Sequence, residues 1–324
     1  MENASSQSLS MSNDVLSGGP FIASTQSNTI GNKIAYMERL VNDLNSSARR
    51  ENALHVLSKR TDLFNELAPL LWSSFGTIAI LLQEILSIYP NLSPPTLSTA
   101  ESTRVCNILG LLQCVATHSD TKMLFIEANM PLYLYPFLKT KDILPQFENL
   151  RLASLGVIGA LVKVNTKEVI GFLLSSEIIP LCLNNIVVGT EITKTVATFI
   201  IQRILADEDG LAYVCATVER FFAVSRVLNL MLKNLQTQPS FRLLKIVVTC
   251  YSRLSDNHSR AGIALTTCLP TILTNGTFIN CLREDPAAWR CVMQLYENMG
   301  VNEVRLVPGG ETINDRVGSS SSGK

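Results

Sequence analysis

Two short clusters in the sequence contain the residue types of a hydrolytic triad. One is His118-Ser119-Asp120, and the other is the Asp-Asn-His-Ser segment at 256–259. A serine nucleophile needs a histidine base and an acid that reach it from separate elements of the fold, so residues of one short loop are poorly placed for this. Both clusters follow long apolar segments, where such side chains cap the next helix. We therefore predict capping residues and a protein that is not an enzyme.

Metal and cofactor chemistry also lacks its usual residues in this chain. The eight cysteines are scattered through Leu-, Val- and Ile-rich segments without a Cys-x-x-Cys pair, and there are three histidines. Zinc sites are built from paired Cys and His ligands, whereas scattered cysteines of this kind are small core residues in a reducing compartment. P-loop, GxGxxG and GxSxG motifs are absent as well. We expect no metal site and no cofactor.

Cations that recur at a nearly constant interval are the strongest candidates for binding chemistry. Arg104, Arg151, Lys194 and Arg242 stand 47, 43 and 48 residues apart, each in a strongly apolar helical segment. Positions three and seven residues after a helical residue share its face. The predicted binding face therefore consists of Arg104, Asn107, Leu111, Arg151, Ser154, Ile158, Lys194, Ala197, Ile201, Arg242, Lys245 and Thr249.

This row of cations has two interpretations. A groove with charged rims and an apolar floor suits an amphipathic helix, which gains affinity from the floor and orientation from the charges. Alternatively, the cations lie on a solvated face or pair with nearby acids such as Glu101, Glu148 and Glu191, and such pairs contribute little. The first interpretation requires the four cations to face one groove. It fails if they point in unrelated directions.

The elements that would position these residues are helices. Apolar residues recur at helical spacing over 33–300, and even the Val-rich segment 246–248 keeps that spacing. Proline-led segments and polar turns recur with the cations at a period of about 45 residues, which is typical of armadillo and HEAT repeats. We predict an all-α, right-handed superhelix of about six armadillo-like repeats with one concave groove. The Ser-, Asn- and Gly-rich segments 1–32 and 301–324 are predicted to be disordered tails.

The charge balance argues against a surface built for polyanions. The chain has 27 basic and 27 acidic residues, whereas proteins that bind nucleic acid or anionic lipid usually show a basic surplus. Single-stranded nucleic acid along the cations remains the alternative function, although no aromatic residues interleave with them to stack on bases. No apolar segment reaches the length of a membrane span, and the first residues lack signal-peptide features. We expect weak or no nucleic-acid binding, no membrane association and an intracellular protein.

Several segments closely resemble the "required for cell differentiation" family, the armadillo-repeat subunit of the CCR-NOT deadenylase complex. They are LAPLLWSSFGTIAILLQEI (67–85), RVCNILGLLQCVATH (104–118), PLYLYPFL (131–138), LRLASLGVIGALVK (150–163), EIIPLCL (177–183), KTVATFI (194–200), and RLLK with RLSDN in 242–257. The resemblance implies a non-catalytic adaptor in the cytoplasm and the nucleus. Such an adaptor binds the NOT scaffold and holds helical peptides of regulators of mRNA decay, translation and transcription in its concave groove.

The resemblance also implies roles for individual residues. The groove valine of the family corresponds to Val196, with Lys194 and Thr195 beside it. The string of the tryptophan pocket corresponds to Val218 through Phe221, in which Arg220 is kept and Val218 replaces an aromatic residue. Ile246 and Thr249 replace a histidine and an arginine, so we expect a less basic groove in a diverged paralogue. The sequence leaves open whether the chain forms a homodimer.

Overall fold

Helices make up all the regular secondary structure of the described part of the chain. The computed structural model describes residues 21–60, 64–164, 166–257, 264–265, 268–275 and 277–300. In chain order the α-helices are α1 Phe21–Leu44, α2 Ser47–Ser58, α3 Phe64–Ser73, α4 Thr77–Ser87, α5 Thr99–Thr117, α6 Ser119–Glu127, α7 Tyr135–Leu138, α8 Pro145–Lys163, α9 Lys167–Ser175, α10 Ile178–Val188, α11 Glu191–Ala206, α12 Glu208–Cys215, α13 Val218–Thr237, α14 Phe241–Ser255, α15 Thr271–Thr274, α16 Ile279–Arg283 and α17 Pro286–Met299. Two 3₁₀ helices, Tyr89–Leu92 and Met130–Leu134, lie among them.

Six of these helices follow one another as a stack. Helix α2 packs on α5, α5 on α8, α8 on α11, α11 on α14, and α14 on α17. The last five begin about 45–50 residues apart, which is the armadillo repeat length. This arrangement confirms the prediction of an all-α repeat fold with about six units.

Local sequence signals start the stacked helices. At α5, Ser98 Oγ accepts a hydrogen bond from the amide of Glu101 (3.2 Å), while the Glu101 carboxylate accepts one from the amide of Ser98 (2.9 Å). This reciprocal pair is a capping box. Asp285 caps α17 in a simpler way, since its carboxylate accepts hydrogen bonds from the amides of Ala287 and Ala288. Each cap satisfies amides that the first turn leaves free.

The core is continuous along the stack. Leu112, Val157, Ile200 and Val247 come from four successive stacked helices, and none of them is exposed to solvent. A stacked helix has a neighbour on each side, so its apolar residues are buried on two faces rather than one. This explains the long uncharged helix interiors.

Basic side chains join consecutive units by binding the carbonyl ends of stacked helices. Arg203 Nε in α11 donates to the Val162 carbonyl of α8 (3.1 Å), and Arg253 Nε in α14 donates to the Leu205 carbonyl of α11 (2.9 Å). The last carbonyls of a helix lack intrahelical partners and carry its negative dipole end. These two arginines therefore stabilise the contact between repeats.

Some sequence-based boundaries and side-chain placements differ from the structure. Helix α1 begins at Phe21, inside the segment 1–32 that composition assigns to a tail. Residues 1–20 and 301–324 lie outside the described residues. Cys114, Cys182 and Cys250 are buried as expected, whereas Cys281 is exposed because it lies in the short helix α16 at the surface.

The first triad-like cluster is a helix cap. His118 is the N-cap of α6, and its Nδ1 accepts a hydrogen bond from the amide of Asp120 (3.2 Å). Residues 258 and 259 of the second cluster lie outside the described residues. In the described ranges no single helix is long and apolar enough to cross a membrane. Two bent pairs of helical segments would be, by length and composition only: Asn65–Ser73 with Thr77–Leu92, bent by 89°, and Lys167–Ser175 with Ile178–Val188, bent by 77°.

Candidate peptide-binding groove

A groove with a volume of about 910 Å³ runs across the last five stacked helices. Its lining comes from α5, α8, α11, α14 and α17, with between two and five residues from each helix. The lining residues are Gln113, Thr117, Gly156, Gly159, Ala160, Lys163, Thr195, Val196, Phe199, Gln202, Phe241, Arg242, Lys245, Ile246, Thr249, Ala287, Ala288 and Cys291.

The groove crosses the helices obliquely. At one end it is lined by Gln113 and Thr117 in the last turns of α5, and at the other end by Ala287 and Ala288 in the first turn of α17. Five packed helices with axes about 8–10 Å apart span roughly 32–40 Å. A ligand that fills the groove therefore passes from the carboxyl end of one helix to the amino end of another.

Small residues of α8 form the floor where it meets α11. A Cβ atom added at Gly159 would lie 3.7 Å from Val196 Cγ1, and one added at Gly156 would lie 3.1 Å from Gln113 Oε1. The half-buried side chains of Val196, Phe199 and Ile246 pack on the core at one side and face the groove on the other. This gives a low apolar floor, against which another apolar surface can be buried.

The charged groups in the lining are Lys163, Arg242 and Lys245, and no carboxylate accompanies them. Lys245 forms an ion pair with Asp285, just outside the lining. The hydrogen bond from Lys245, together with those from the α17 amides, lowers the pKa of the Asp285 carboxyl. Lys245 is thus neutralised by an anion at its side, while the groove as a whole stays positive.

The structure places four of the predicted site residues in this lining. Val196, Arg242, Lys245 and Thr249 all face the groove. Lys194 lies outside it, in a neighbouring hollow of about 190 Å³ that is also lined by Glu191 and Leu243. Asn107 is half-buried in α5 and does not contribute to the groove.

Five predicted site residues are core residues, so their assignment to a binding face is wrong. They expose 1% of their surface or less: Leu111, Ser154, Ile158, Ala197 and Ile201. The cations from which they were counted occupy different positions in their helices, since Arg242 is the second residue of α14 and Arg151 is the seventh of α8. The same offset therefore selects different faces relative to the stack.

Arg104 and Arg151 also do not face the groove, and the pairing interpretation holds for both. Arg104 contacts the carboxylates of Glu84 (3.3 Å) and Glu51 (3.4 Å). Arg151 is 1% exposed, and its Nη2 lies 2.6 Å from Glu148 Oε2. Of the four recurring cations, Arg242 alone faces the groove, so the predicted row of four cations along one groove does not form.

Glu148 connects Arg151 to the next repeat. Its Oε1 accepts hydrogen bonds from Thr193 Oγ1 (2.7 Å) and from the amide of Thr190 (2.8 Å) at the start of α11. Burial alone would raise the pKa of Glu148, but the hydrogen bonds from Thr193, Thr190 and Arg151 outweigh it and lower the pKa to about 2. The pair is therefore a charged junction between α8 and α11.

Phe199 and Phe241 are groove residues that the sequence interpretation missed. The Lys245 ammonium lies 5.5 Å from the centroid of the Phe241 ring, and Arg242 is the next residue in the chain. The expectation that no aromatic side chain stands among the cations is therefore wrong. Helical spacing from Val196, which gives Phe199 at the third position, is the one sequence signal that could have found part of this set.

Comparison with known proteins identifies the family. The sequence profile described as "Cell differentiation family, Rcd1-like" matches residues 40–299. This chain belongs to the Rcd1-like family. It is 52% identical over 254 residues to "Cell differentiation protein rcd1" of Schizosaccharomyces pombe, a match that covers 78% of this chain and 89% of that protein. It is also 50% identical over 248 residues to "Protein CAF40" of Saccharomyces cerevisiae, covering 76% of this chain and 66% of that protein.

Solved structures similar to this Rcd1-like chain are designed armadillo repeat proteins. One, YIII(Dq)4CqI, has a TM-score of 0.59 at 15% identity, and another, YIII(Dq.V1)4CPAF in complex with the peptide (KR)4, has a TM-score of 0.55 at 14% identity. Both comparisons cover 81% of this chain and 99% of the designed protein. At this identity the likeness establishes the armadillo fold alone.

Val218 and Arg220, the residues predicted to correspond to a tryptophan pocket, lie at the start of α13. Val218 is 62% exposed, and the exposed guanidinium of Arg220 lies 3.8 Å from the centroid of the Tyr213 ring. Neither Val218 nor Arg220 lines the oblique groove or the hollow beside Lys194. Within the described ranges, no three His, Cys, Asp or Glu side chains are grouped so that they could hold a metal ion.

Proposed function

We propose that this Rcd1-like protein is a non-catalytic adaptor subunit of the CCR-NOT deadenylase complex. One surface docks on the NOT scaffold, and the oblique groove holds a helical segment of a regulator of mRNA decay, translation or transcription. Membership of the family supports this role. We also propose that the protein acts in both the cytoplasm and the nucleus.

The observation that carries the proposal is the shape and chemistry of the groove. An α-helix with side chains is about 10–12 Å wide, and the groove offers such a helix an apolar floor with cations at its edges. Amphipathic helices bind grooves of this kind through their apolar face. A designed armadillo repeat protein of similar fold is in complex with the peptide (KR)4, which supports peptide binding on a stack of this type.

As an adaptor the protein acts by tethering. A regulator bound in the groove and a scaffold bound elsewhere are held on one molecule, so the second interaction occurs at a high effective concentration. The deadenylase of the complex is thereby concentrated at the transcript that the regulator selects.

The purified full chain tests this proposal through two binding assays across a salt series. We expect it to bind a NOT-scaffold fragment with an affinity that changes little between about 50 and 200 mM salt. Binding to single-stranded RNA should be weak. An RNA held by several phosphate contacts would instead lose affinity steeply as the salt concentration rises. Failure to bind the scaffold fragment, together with tight and salt-sensitive binding of RNA, would contradict the adaptor role.

Single-stranded nucleic acid is the second candidate ligand. Phe199 and Phe241 stand beside Arg242 and Lys245 in the groove, and aromatic rings among cations are the usual platform for unpaired bases. Under this alternative, Phe241→Ala weakens RNA binding and leaves binding of the scaffold fragment unchanged. If Phe241→Ala leaves the affinity for RNA unchanged, bases do not stack on Phe241 and this alternative is excluded.

A further inference from the structure

Two cations of the groove lack a carboxylate partner among the described residues. Lys163 and Arg242 form no ion pair there, whereas Lys245 pairs with Asp285 and Arg253 pairs with both Glu208 and Asp256. Both of these cations face the same groove.

The two cations lie at opposite corners of the groove. Lys163 is the last residue of α8, and Arg242 is the second residue of α14, with α11 between the two helices. Two interaxial spacings alone separate them by about 16–20 Å. At a rise of 1.5 Å per residue this lateral distance alone corresponds to roughly 11–13 residues of helix, and the offset between the carboxyl end of α8 and the amino end of α14 adds to it.

The position of Arg242 in its helix also favours binding of an anion next to it. It lies in the first turn of α14, where the helix dipole is positive and disfavours a cation. The amino end of α17 also faces this corner through Ala287 and Ala288. Asp285, which comes directly before α17, is already engaged with Lys245 and with the α17 amides.

Between the corners the lining is mostly apolar, although Thr195 and Gln202 of α11 also contribute to it. Val196, Phe199 and Ile246 face the groove there, together with the small residues of α8. A polynucleotide carries a phosphate at every residue and would leave most of its charges over this apolar floor. A helix with charges only near its ends fits the pattern better, because its middle buries apolar surface.

We propose that the groove ligand is an amphipathic helix with a carboxylate side chain near each end, at least about eleven residues apart. One carboxylate pairs with Lys163 and the other with Arg242, and the apolar residues between them cover Val196, Phe199 and Ile246. This inference rests on the proposed function, since it specifies the peptide that the groove accepts. The ends of the helix determine selectivity, and its apolar face supplies most of the affinity.

Three labelled synthetic peptides test the inference with the purified full chain. They share one Leu- and Ala-rich helical face and differ at two positions about eleven residues apart, which carry Glu, Gln or Lys; such positions lie on one helical face. We expect the Glu peptide to bind about tenfold more tightly than the Gln peptide, and the Lys peptide to bind most weakly. Fluorescence anisotropy measures the three dissociation constants.

Charge reversal in the protein provides the decisive comparison. The double variant Lys163→Glu with Arg242→Glu should invert the order, so that the Lys peptide binds best. Lys194→Glu is the matched control, because Lys194 lies in the neighbouring hollow and its reversal should preserve the original order. Circular dichroism confirms that the variants are folded.

The other outcomes separate this inference from the proposed function. Equal binding of the three peptides, lost in Val196→Glu, would overturn the carboxylate inference and leave a peptide groove. A third outcome is that none of the peptides binds, whereas single-stranded oligouridine binds tightly and the double charge reversal abolishes that binding. Both cations would then be phosphate-binding residues, and both proposals would be overturned.

Discussion

The guanidinium of Arg151 lies 2.6 Å from the carboxylate of Glu148, one helical turn earlier in α8, and both side chains are withdrawn from solvent. Arg151 also donates to the carbonyl of Asp142 (2.7 Å) in the loop before α8, while Glu148 binds Thr193 at the start of α11. The pair thus joins a loop and two consecutive repeats. Its role is structural, and a ligand in the groove does not reach it.

Removal of Arg151 should destabilise the fold. In Arg151→Ala the half-buried Glu148 carboxylate loses its cation, and losing one partner of a buried pair costs up to about 3–5 kcal/mol. Arg104→Ala is the control, because the pairs of Arg104 are more exposed and should contribute about 0–1 kcal/mol. Denaturant unfolding measures both free energies. If the two variants lose equal amounts of unfolding free energy, Arg151 does not stabilise a junction between α8 and α11.

The same junction should be sensitive to acid. The pKa of Glu148 is lowered from 4.5 to about 2 in the folded protein, so the unfolded chain binds a proton at this site at a higher pH than the folded chain does. The stabilisation from Glu148 is therefore complete above about pH 5 and is lost as the pH falls toward 2. The difference in free energy of unfolding between wild type and Glu148→Gln should shrink over that range. A difference that stays constant with pH would contradict the lowered pKa.

Val196→Glu should abolish peptide binding and leave the thermal midpoint nearly unchanged. Val196 is half-buried and faces the groove, so a charge can reach solvent in the free protein but is buried without a partner beneath an apolar ligand. Anisotropy with the Glu peptide and a thermal melt report the two effects. Ile201→Glu is the contrasting variant, because Ile201 is 1% exposed and its replacement should destabilise the fold. A large loss of stability in Val196→Glu would show that Val196 belongs to the core.

Side chains added at Gly159 should fill the groove. Gly159→Ala places a Cβ at an ordinary contact distance of 3.7 Å from Val196 Cγ1, and replacing a helical glycine by alanine stabilises a helix by up to about 1 kcal/mol. Gly159→Met should instead weaken binding of the Glu peptide about tenfold by occupying the floor. Gly110→Met is the control, because nothing lies within 4 Å of a Cβ at Gly110 and it is not a lining residue. Equal peptide binding by the two methionine variants would place the ligand elsewhere.

The cysteines should react with a thiol reagent in an order set by burial. Cys281 is exposed and should be alkylated first in the folded protein. Burial raises the pKa of Cys106 to about 11 and that of Cys114 to about 12, and it also raises the pKa of the fully buried Cys182 and Cys250. Thiolates react and thiols do not, so these four should be labelled only after unfolding. Peptide mass spectrometry identifies the labelled sites, and early labelling of Cys250 would contradict its place in the core.

Residue patterns within one helix were predictable. The apolar spacing of Leu152 to Val162 indicates a helix buried on two faces, and α8 is such a helix. The helix cap at His118 was also recognisable, because a cap needs only a polar side chain next to the amides that it binds. These features depend on neighbours within a few residues, so the sequence states them directly.

The composition of the groove could not be predicted in the same way. Counting three and seven residues from each cation selected Lys245 and Thr249, which line the groove, but also Ser154 and Ile158, which are buried. Helical spacing fixes which residues share a face. It does not fix the rotation of that face relative to the next helix.

The sequence by itself determined an all-α chain with a repeat of about 45 residues and membership of the Rcd1-like family, because periodicity, caps and long collinear similarity are written in the order of residues. The tertiary structure alone decided that the groove runs obliquely from the end of α5 to the start of α17. It also decided that Arg151 forms an ion pair with Glu148, and that Lys163 and Arg242 have no carboxylate partner in the described ranges. Those facts depend on how far each helix is shifted and rotated against its neighbour, and that is set by side-chain packing between residues distant in sequence.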